Sequence, residues 1–253
     1  MSANRTGSGE PSRTLALLWG DPSTTTRRRK GPSRSVTVTQ VVDAALDLAD
    51  SHGLAAITIR AVAERVGVSA MSVYTYVPGK PELLDLMVDA RYDRMTHTPW
   101  AGQPWRDRLT VVAEDNRELL STHPWLTEVA ALSRPPLGPG VMAKYEHELA
   151  AFDDTGLSDV DVDAALTYLL GFVQSHCRSA HDAARATTDT AMSDADWWAA
   201  NQPVLALALD PETYPRAVRI GSAAGEAQGS AWQADRAWQF GLARTLGGLA
   251  ALL

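Results

Sequence analysis

Residues 58–77, TIRAVAERVGVSAMSVYTYV, contain two helix starts separated by a single glycine stop. Thr58 is an N-cap residue, and the apolar positions Ile59, Val62, Ala63 and Val66 fall on one face of a helix that ends at Gly67. Ser69 is a second N-cap only two residues later, so a short helix over 70–76 leaves the turn at a steep angle. Val77-Pro78-Gly79 breaks the chain again. Lys80-Pro81-Glu82 then opens another helix, with proline in its first turn and an acid near its positive end. Upstream, Val38, Val41, Val42, Ala45, Leu46 and Ala49 recur at helical spacing, and Gly53 stands where a C-cap is expected.

A helix that reads DNA presents short or planar side chains to base edges while its opposite face anchors in a core. Val68 and Val73 supply the anchor here, which leaves Ala70, Met71, Ser72, Tyr74, Thr75 and Tyr76 for the major groove or its bordering phosphates. Ala70, Met71 and Ser72 carry little bidentate hydrogen-bonding capacity, so sequence reading leans on thymine methyl contacts and a hydroxyl.

The net charge of -7 argues against a polyanionic partner only as an average. Residues 27–80 hold eight Lys/Arg against four acids, whereas from Pro99 onward 11 basic residues face 20 acidic ones. The basic charge therefore sits beside the two short helices, where phosphate binding needs it. Residues 1–34 are rich in Ser, Thr, Arg, Gly and Pro and read as a flexible basic arm. Its ordered candidate is Leu15-Ala-Leu-Leu-Trp19, a helical turn able to dock on a neighbouring surface. Arg27, Arg28, Arg29, Lys30 and Arg34 suit a minor-groove or phosphate track, with a solubilising tail as the alternative.

Residues 45–53 and 58–77, together with Lys80, Leu83 and Leu84, resemble the DNA-binding domain of the TetR family in helix spacing, in Gly53, the Thr58 cap, Ala63, Gly67-Val68, Tyr74 and Tyr76. The resemblance implies that Tyr74 packs near or touches the phosphate backbone and that Lys80 contacts phosphate at the start of the next helix. It also places Arg60 where the family reaches a base or phosphate, a solvated first-turn charge being the other reading. With the caps Thr58 and Ser69, these residues make up the expected DNA-binding set.

Beyond Pro99 the segments 105–122, 125–133, 141–153, 159–186, 194–209 and 231–252 read as helices bounded by Pro, Gly or Ser/Asp clusters, without strand alternation or repeats. The expected organisation is all-α: an arm over 1–34, a helix-turn-helix domain over 35–80, a connecting helix over 81–98 and a helical effector-binding and dimerisation domain over 99–253. Residues 166–173 and 240–253 resemble the C-terminal domain of the tetracycline-repressor branch, in which two helices per subunit build a four-helix dimer interface. Carried over, 159–186 and 231–252 would pair two copies, with Gly171, Gly241, Gly247 and Gly248 permitting close approach. The stripe Trp238, Leu242, Leu246, Leu249 and Leu253 fits either that interface or an internal core face.

The resemblance further implies a small-molecule effector, and Trp105, Asn116, His123, Trp125, Met142, Tyr145, Phe172, His176 and Trp198 are the side chains suited to a mostly apolar pocket. Such an effector would change the separation of two reading heads through the helix over 81–94. The expected partners are operator DNA, a second copy and an unknown effector, with no cofactor and no membrane. Cys177 is the single cysteine, which fits a reducing cytoplasm and excludes an intramolecular disulfide. The six histidines show no HExxH spacing, and neither a phosphate loop nor a nucleophile elbow is present, so an enzyme is the weaker reading. Tyr145-Glu146-His147-Glu148 reads as a solvated face, and an architectural DNA-binding protein without a ligand is the second rival.

Overall fold

The structure, a computed structural model, describes residues 5–20 and 36–253, and every regular element among them is helical. Its described residues form two units, one reaching Gln174 and including Leu252 and Leu253, the other Ser175–Ala251.

The first unit begins with α1 (Pro11–Trp19), α2 (Val38–His52), α3 (Ile59–Val66) and α4 (Ala70–Tyr74). Local chemistry sets these ends. Thr37 and Gln40 form a reciprocal capping box at the start of α2. Thr58 accepts from the Ala61 N–H and Ser69 from the Ser72 N–H. Gly67, at φ +81°, turns the chain left-handed between α3 and α4, a conformation costly for any residue with a Cβ. Val41, Ala45, Leu46, Ile57, Val62, Val73 and Val77 close the core of this head.

Next comes α5 (Lys80–Asp93), which is enclosed on all sides: residues 82–89 are buried without interruption. It packs against α1, α2, α7 (Leu126–Val129) and α8 (Pro139–Leu149). Three carboxylates lie within that buried run, and each accepts a backbone N–H from another element. Glu82 Oε1 takes Glu10 N at 3.3 Å, Asp85 Oδ1 takes Gly7 N at 2.9 Å and Asp89 Oδ1 takes Val141 N at 2.9 Å. The last bond caps α8. Gly138 and Gly140 make that approach possible, since a Cβ on Gly140 would stand 2.2 Å from the Asp89 carbonyl oxygen and 2.8 Å from the Asp93 nitrogen.

The unit is completed by α6 (Trp105–Thr122) and by the first half of α9 (Asp159–Thr190). A helix expected over 125–133 is observed only over Leu126–Val129. Pro135-Pro136 cannot extend it, and the backbone it would have paired is satisfied elsewhere: Thr6 N donates to Val129 O, Ala131 N to Thr6 Oγ1 and Gln174 Nε2 to Ala130 O. Residues 5–20, placed in the flexible arm by composition, thus carry a docked helix. Glu10 caps α1 by accepting from the Ser12 and Arg13 N–H groups.

In the second unit, the rest of α9 is joined by α10 (Asp194–Ala208), α11 (Pro215–Gln228) and α12 (Ala234–Leu249). The helix α11 is not expected from the sequence. Trp238, Leu242, Leu246 and Leu249 are buried along α12, which makes their stripe a core face of this chain, while Leu253 is exposed. No residue of α10 is buried, although it carries Trp197, Val204, Leu205 and Leu207.

Gly67→Ala should destabilise the fold by about 1 kcal/mol through its left-handed backbone, and Gly140→Ala by about 1–3 kcal/mol or more through backbone collision; urea denaturation checks both. Burial raises the Asp85 and Asp89 carboxyls above their ordinary 3.8. The folded chain then binds these protons more tightly than the unfolded one, so this contribution is full below 3.8 and is lost as pH rises through the raised values. Relative to Asp89→Asn, the unsubstituted chain should therefore lose stability as pH climbs out of the carboxylate range.

Candidate functional site

The exposed face of α4 presents Met71, 75% exposed, and Tyr74, 49% exposed, with Thr75 beside them. Behind that face Val73 and Val77 are fully buried, so the helix is held from one side and open on the other. Thr75 N and Tyr76 N continue the helical turn through bonds to Ser72 O and Val73 O, which keeps Tyr76 in register with α4. Ala70, Ser72 and Tyr76 are half-buried, and Ser72 Oγ is engaged with Ser69 Oγ at 2.9 Å. The hydroxyl of Ser72 is thereby tied to the cap.

Thr58 and Ser69 are exposed caps whose side-chain oxygens are occupied by the backbone N–H groups of Ala61 and Ser72. Arg60 extends from the first turn of α3, paired with Glu64 at 3.1 Å and 86% exposed, an arrangement that a phosphate can replace at small cost. Lys80 is half-buried at the start of α5, where desolvation lowers its ammonium below the usual 10.5. Arg27, Arg28, Arg29, Lys30 and Arg34 lie outside the described residues.

The head is fastened to the helical body at Asp50 of α2. Its Oδ1 receives Trp125 Nε1 at 2.7 Å and faces His123 Nδ1 at 2.8 Å, while its Oδ2 receives Arg91 of α5 at 2.6 Å. Arg94 adds a second bridge from the end of α5 to Asp43 at 2.5 Å. His123 and Trp125, expected against a ligand, are thus tied to the reading head.

A cavity of about 260 Å³ opens in the first unit among α5, the 130–137 segment, α8 and α9. Met142 and Tyr145 line it, as the sequence suggests. Leu132, Pro136, Leu166 and Leu170 supply much of its apolar wall. Its polar residues escape a reading of the sequence: buried Lys144 donates to both carboxylate oxygens of Glu148 at 2.7 Å, and its ammonium lies 5.0 Å from the Tyr92 ring centre. Asn116, expected against a ligand, is buried and is not among the lining residues, but it donates to Glu148; Tyr145 OH donates to Asp163 at the rim at 2.7 Å. Burial, followed by the nearby Glu148 charge, raises the Tyr92 hydroxyl above its usual 10.0 and keeps it a neutral donor. Glu148 departs from the solvated face expected for 145–148, because its charge is matched by Lys144 four residues earlier.

Trp105, half-buried at the start of α6 with Arg106 over its ring, and Phe172 are not among the residues lining this cavity. His176 and Trp198 belong to the second unit, where His176 stacks on Trp238 at 5.1 Å and Trp198 fills the space that a Cβ on Gly225 would need.

Two family descriptions match the chain: bacterial regulatory proteins of the tetR family over residues 41–87, and the tetracyclin repressor-like C-terminal domain over residues 98–253. The HTH-type transcriptional repressor DrrR1 of Streptomyces coeruleorubidus is 38% identical over 216 residues, covering 85% of this chain and 78% of the relative. An HTH-type transcriptional regulator of Saccharopolyspora erythraea is 30% identical over 178 residues, 69% of this chain and 72% of its own. The crystal structure of Streptomyces coelicolor ActR in complex with actinorhodin shares the fold, with a TM-score of 0.70 at 24% identity over 87% of this chain and 97% of that one. The capped helix-turn-helix and the helical body behind it place the chain in the TetR family of bacterial transcriptional regulators.

Proposed function

We propose that this chain is a repressor that binds a palindromic operator as a homodimer, with α4 in the major groove, and is released by a small molecule held in the cavity of the first unit. The observation that carries the DNA reading is the pairing of fully buried Val73 with exposed Met71 and Tyr74 on one capped helix, with Thr75 exposed and Val77 buried just past its end. Base contact falls to Met71, whose thioether and methylene groups suit a thymine methyl. Arg60, Tyr74 and Lys80 serve the phosphates, with Arg27, Arg28, Arg29, Lys30 and Arg34 as an additional basic segment.

Dimerisation is supported by outward faces on α9 and α12. Tyr168 and Phe240 are 62% and 67% exposed, and a Cβ on Gly247 or Gly248 would meet no atom within 4 Å. Those glycines lower helix propensity and are crowded by nothing in their own chain, as expected of positions kept small for a second backbone. Two copies also place two reading heads about one DNA turn apart, which a palindrome requires.

The effector reading rests on the mixture in the cavity wall: mostly apolar side chains with the Lys144–Glu148 pair and the Tyr145–Asp163 bond as orienting polar groups. A ligand there touches α5 and α8 together. Helix α5 carries Arg91 and Arg94, which hold the head at Asp50 and Asp43.

Operator sequences selected from a random pool should be palindromic, and sedimentation should show a dimer on each. In fluorescence anisotropy Lys80→Ala should weaken all sequences alike and reduce the salt slope by about 0.9 for each phosphate that the chain ceases to neutralise. Met71→Ala should instead flatten discrimination at one base pair of each half-site by about 1–3 kcal/mol. Binding of random DNA as tightly as the selected sites would replace the repressor with an architectural protein.

A further inference from the structure

Residues 5–20 precede the helix-turn-helix, yet they are seated on two parts of the first unit at once. Thr6, 3% exposed, bonds to Val129 O through its N–H and to Ala131 N through its hydroxyl, both at 3.0 Å. Gly7 and Glu10 give their N–H groups to Asp85 and Glu82 of α5, and Trp19 Nε1 donates to Leu137 O at 2.8 Å. The seat is close-fitting. A Cβ on Gly7 would stand 2.8 Å from Arg134 Cβ, and one on Gly9 would stand 2.9 Å from Glu82 Oε1.

The same stretch of chain forms a wall of the cavity. Ala130, Ala131, Leu132, Pro135, Pro136 and Leu137 line it, and of these Ala131 and Leu137 also bond the N-terminal segment. This is the non-helical wall; the others belong to α5, α8 and α9, whose backbones are internally hydrogen-bonded. At about 260 Å³ the cavity is smaller than the roughly 300–1,000 Å³ usual for a small-molecule site. The cavity is open on one side, and a ligand seated more deeply than it allows meets the 130–137 segment as the wall without a helix to deform.

We infer that residues 5–20 form a strap, docked in cis, that holds the cavity small: ligand entry pushes the 130–137 wall and loosens the strap, and loss of the strap favours the ligand. The inference rests on the proposed effector site.

Reciprocity makes the idea quantitative, because a ligand that weakens strap docking by some factor must bind the strapless chain more tightly by the same factor. The probe is anilinonaphthalene sulfonate, titrated by fluorescence into the full chain, a chain lacking residues 2–20, and the full-length Thr6→Val/Trp19→Phe double variant, which tests the seat where the deletion fails to fold. Affinity should rise about fivefold or more in both altered chains, the lower range of measured couplings. Amide exchange over residues 6–10 should quicken by a similar factor when the probe saturates the unsubstituted chain. Leu170→Trp, which fills the cavity, should abolish both responses.

Saturable binding that Leu170→Trp removes, with strap exchange and affinity unchanged or shifted in the opposite sense, overturns the strap while leaving the effector site standing. Strap exchange that still responds to probe in Leu170→Trp also overturns it. Absence of any saturable signal in the unsubstituted chain overturns the effector site and the strap's role together.

Discussion

A row of buried carboxylates on one helix organises the first unit. Glu82, Asp85 and Asp89 sit at intervals of three and four residues, so they share a face of α5, and burying them unpaired would cost more than the local core repays. Each is compensated by backbone N–H groups from elsewhere: Glu10, Gly7 and Val141. The compensation works in both directions. Neither the N-terminal segment nor the start of α8 has an intrahelical partner for these donors, so the acids that need ligands are matched with backbone that needs acceptors. Removing one side strands the other, which makes the position of α8 and of residues 5–10 a condition for keeping α5 buried.

The opposite duty of α5 is performed by its last turn. Arg91 and Arg94 leave the buried run and reach Asp50 and Asp43 on α2, and His123 and Trp125 converge on Asp50 from the body. The shielded Arg91–Asp50 bond contributes about 1.5–3 kcal/mol, whereas the more exposed Arg94–Asp43 pair contributes about 0–1 kcal/mol. Allosteric couplings are commonly about 1–3 kcal/mol. A coupling of that size is comparable with the Arg91–Asp50 bond and smaller than the burial of Leu83, Leu84, Leu86, Met87 and Val88 together.

Legibility of these features in the sequence follows how local their causes are. The helix-turn-helix is readable because Thr58, Gly67 and Ser69 act within three or four residues of themselves, and periodicity alone gives α6 its observed bounds. Helix α11 is hidden because Gly221 and Gly225 dilute its pattern, and one of them is there to admit the Trp198 ring. The docked α1 is obscured by a Ser, Pro and Arg-rich context, its stability coming from α5 and the 129–137 segment. Glu148 and Lys144 read as ordinary helix-surface charges until the fold buries them together. In the candidate cavity, Met142 and Tyr145 are legible as amphipathic side chains on a helix, whereas His123 and Trp125 have the same character and are directed to Asp50 by contacts more than 70 residues away in sequence.

Residues 88–97 join the reading head to the helical body behind it. Asp89, Arg91 and Arg94 all lie in that stretch, and residues 5–20 lie ahead of the head. The head supplies a capped reading helix and the body a cavity. The parts between and before them carry the connections: the cap on α8, the bonds to Asp50 and Asp43, and the seat for the N-terminal segment. Helix α5 is common to both: its buried apolar face packs against α2 and reaches the cavity at Val88 and Tyr92, and Arg91 and Arg94 at its end bond Asp50 and Asp43. Ala70, Met71 and Ser72 offer few directional groups to a base edge, so the most directional chemistry around this head is in the charged contacts of Asp43 and Asp50 that hold it in place.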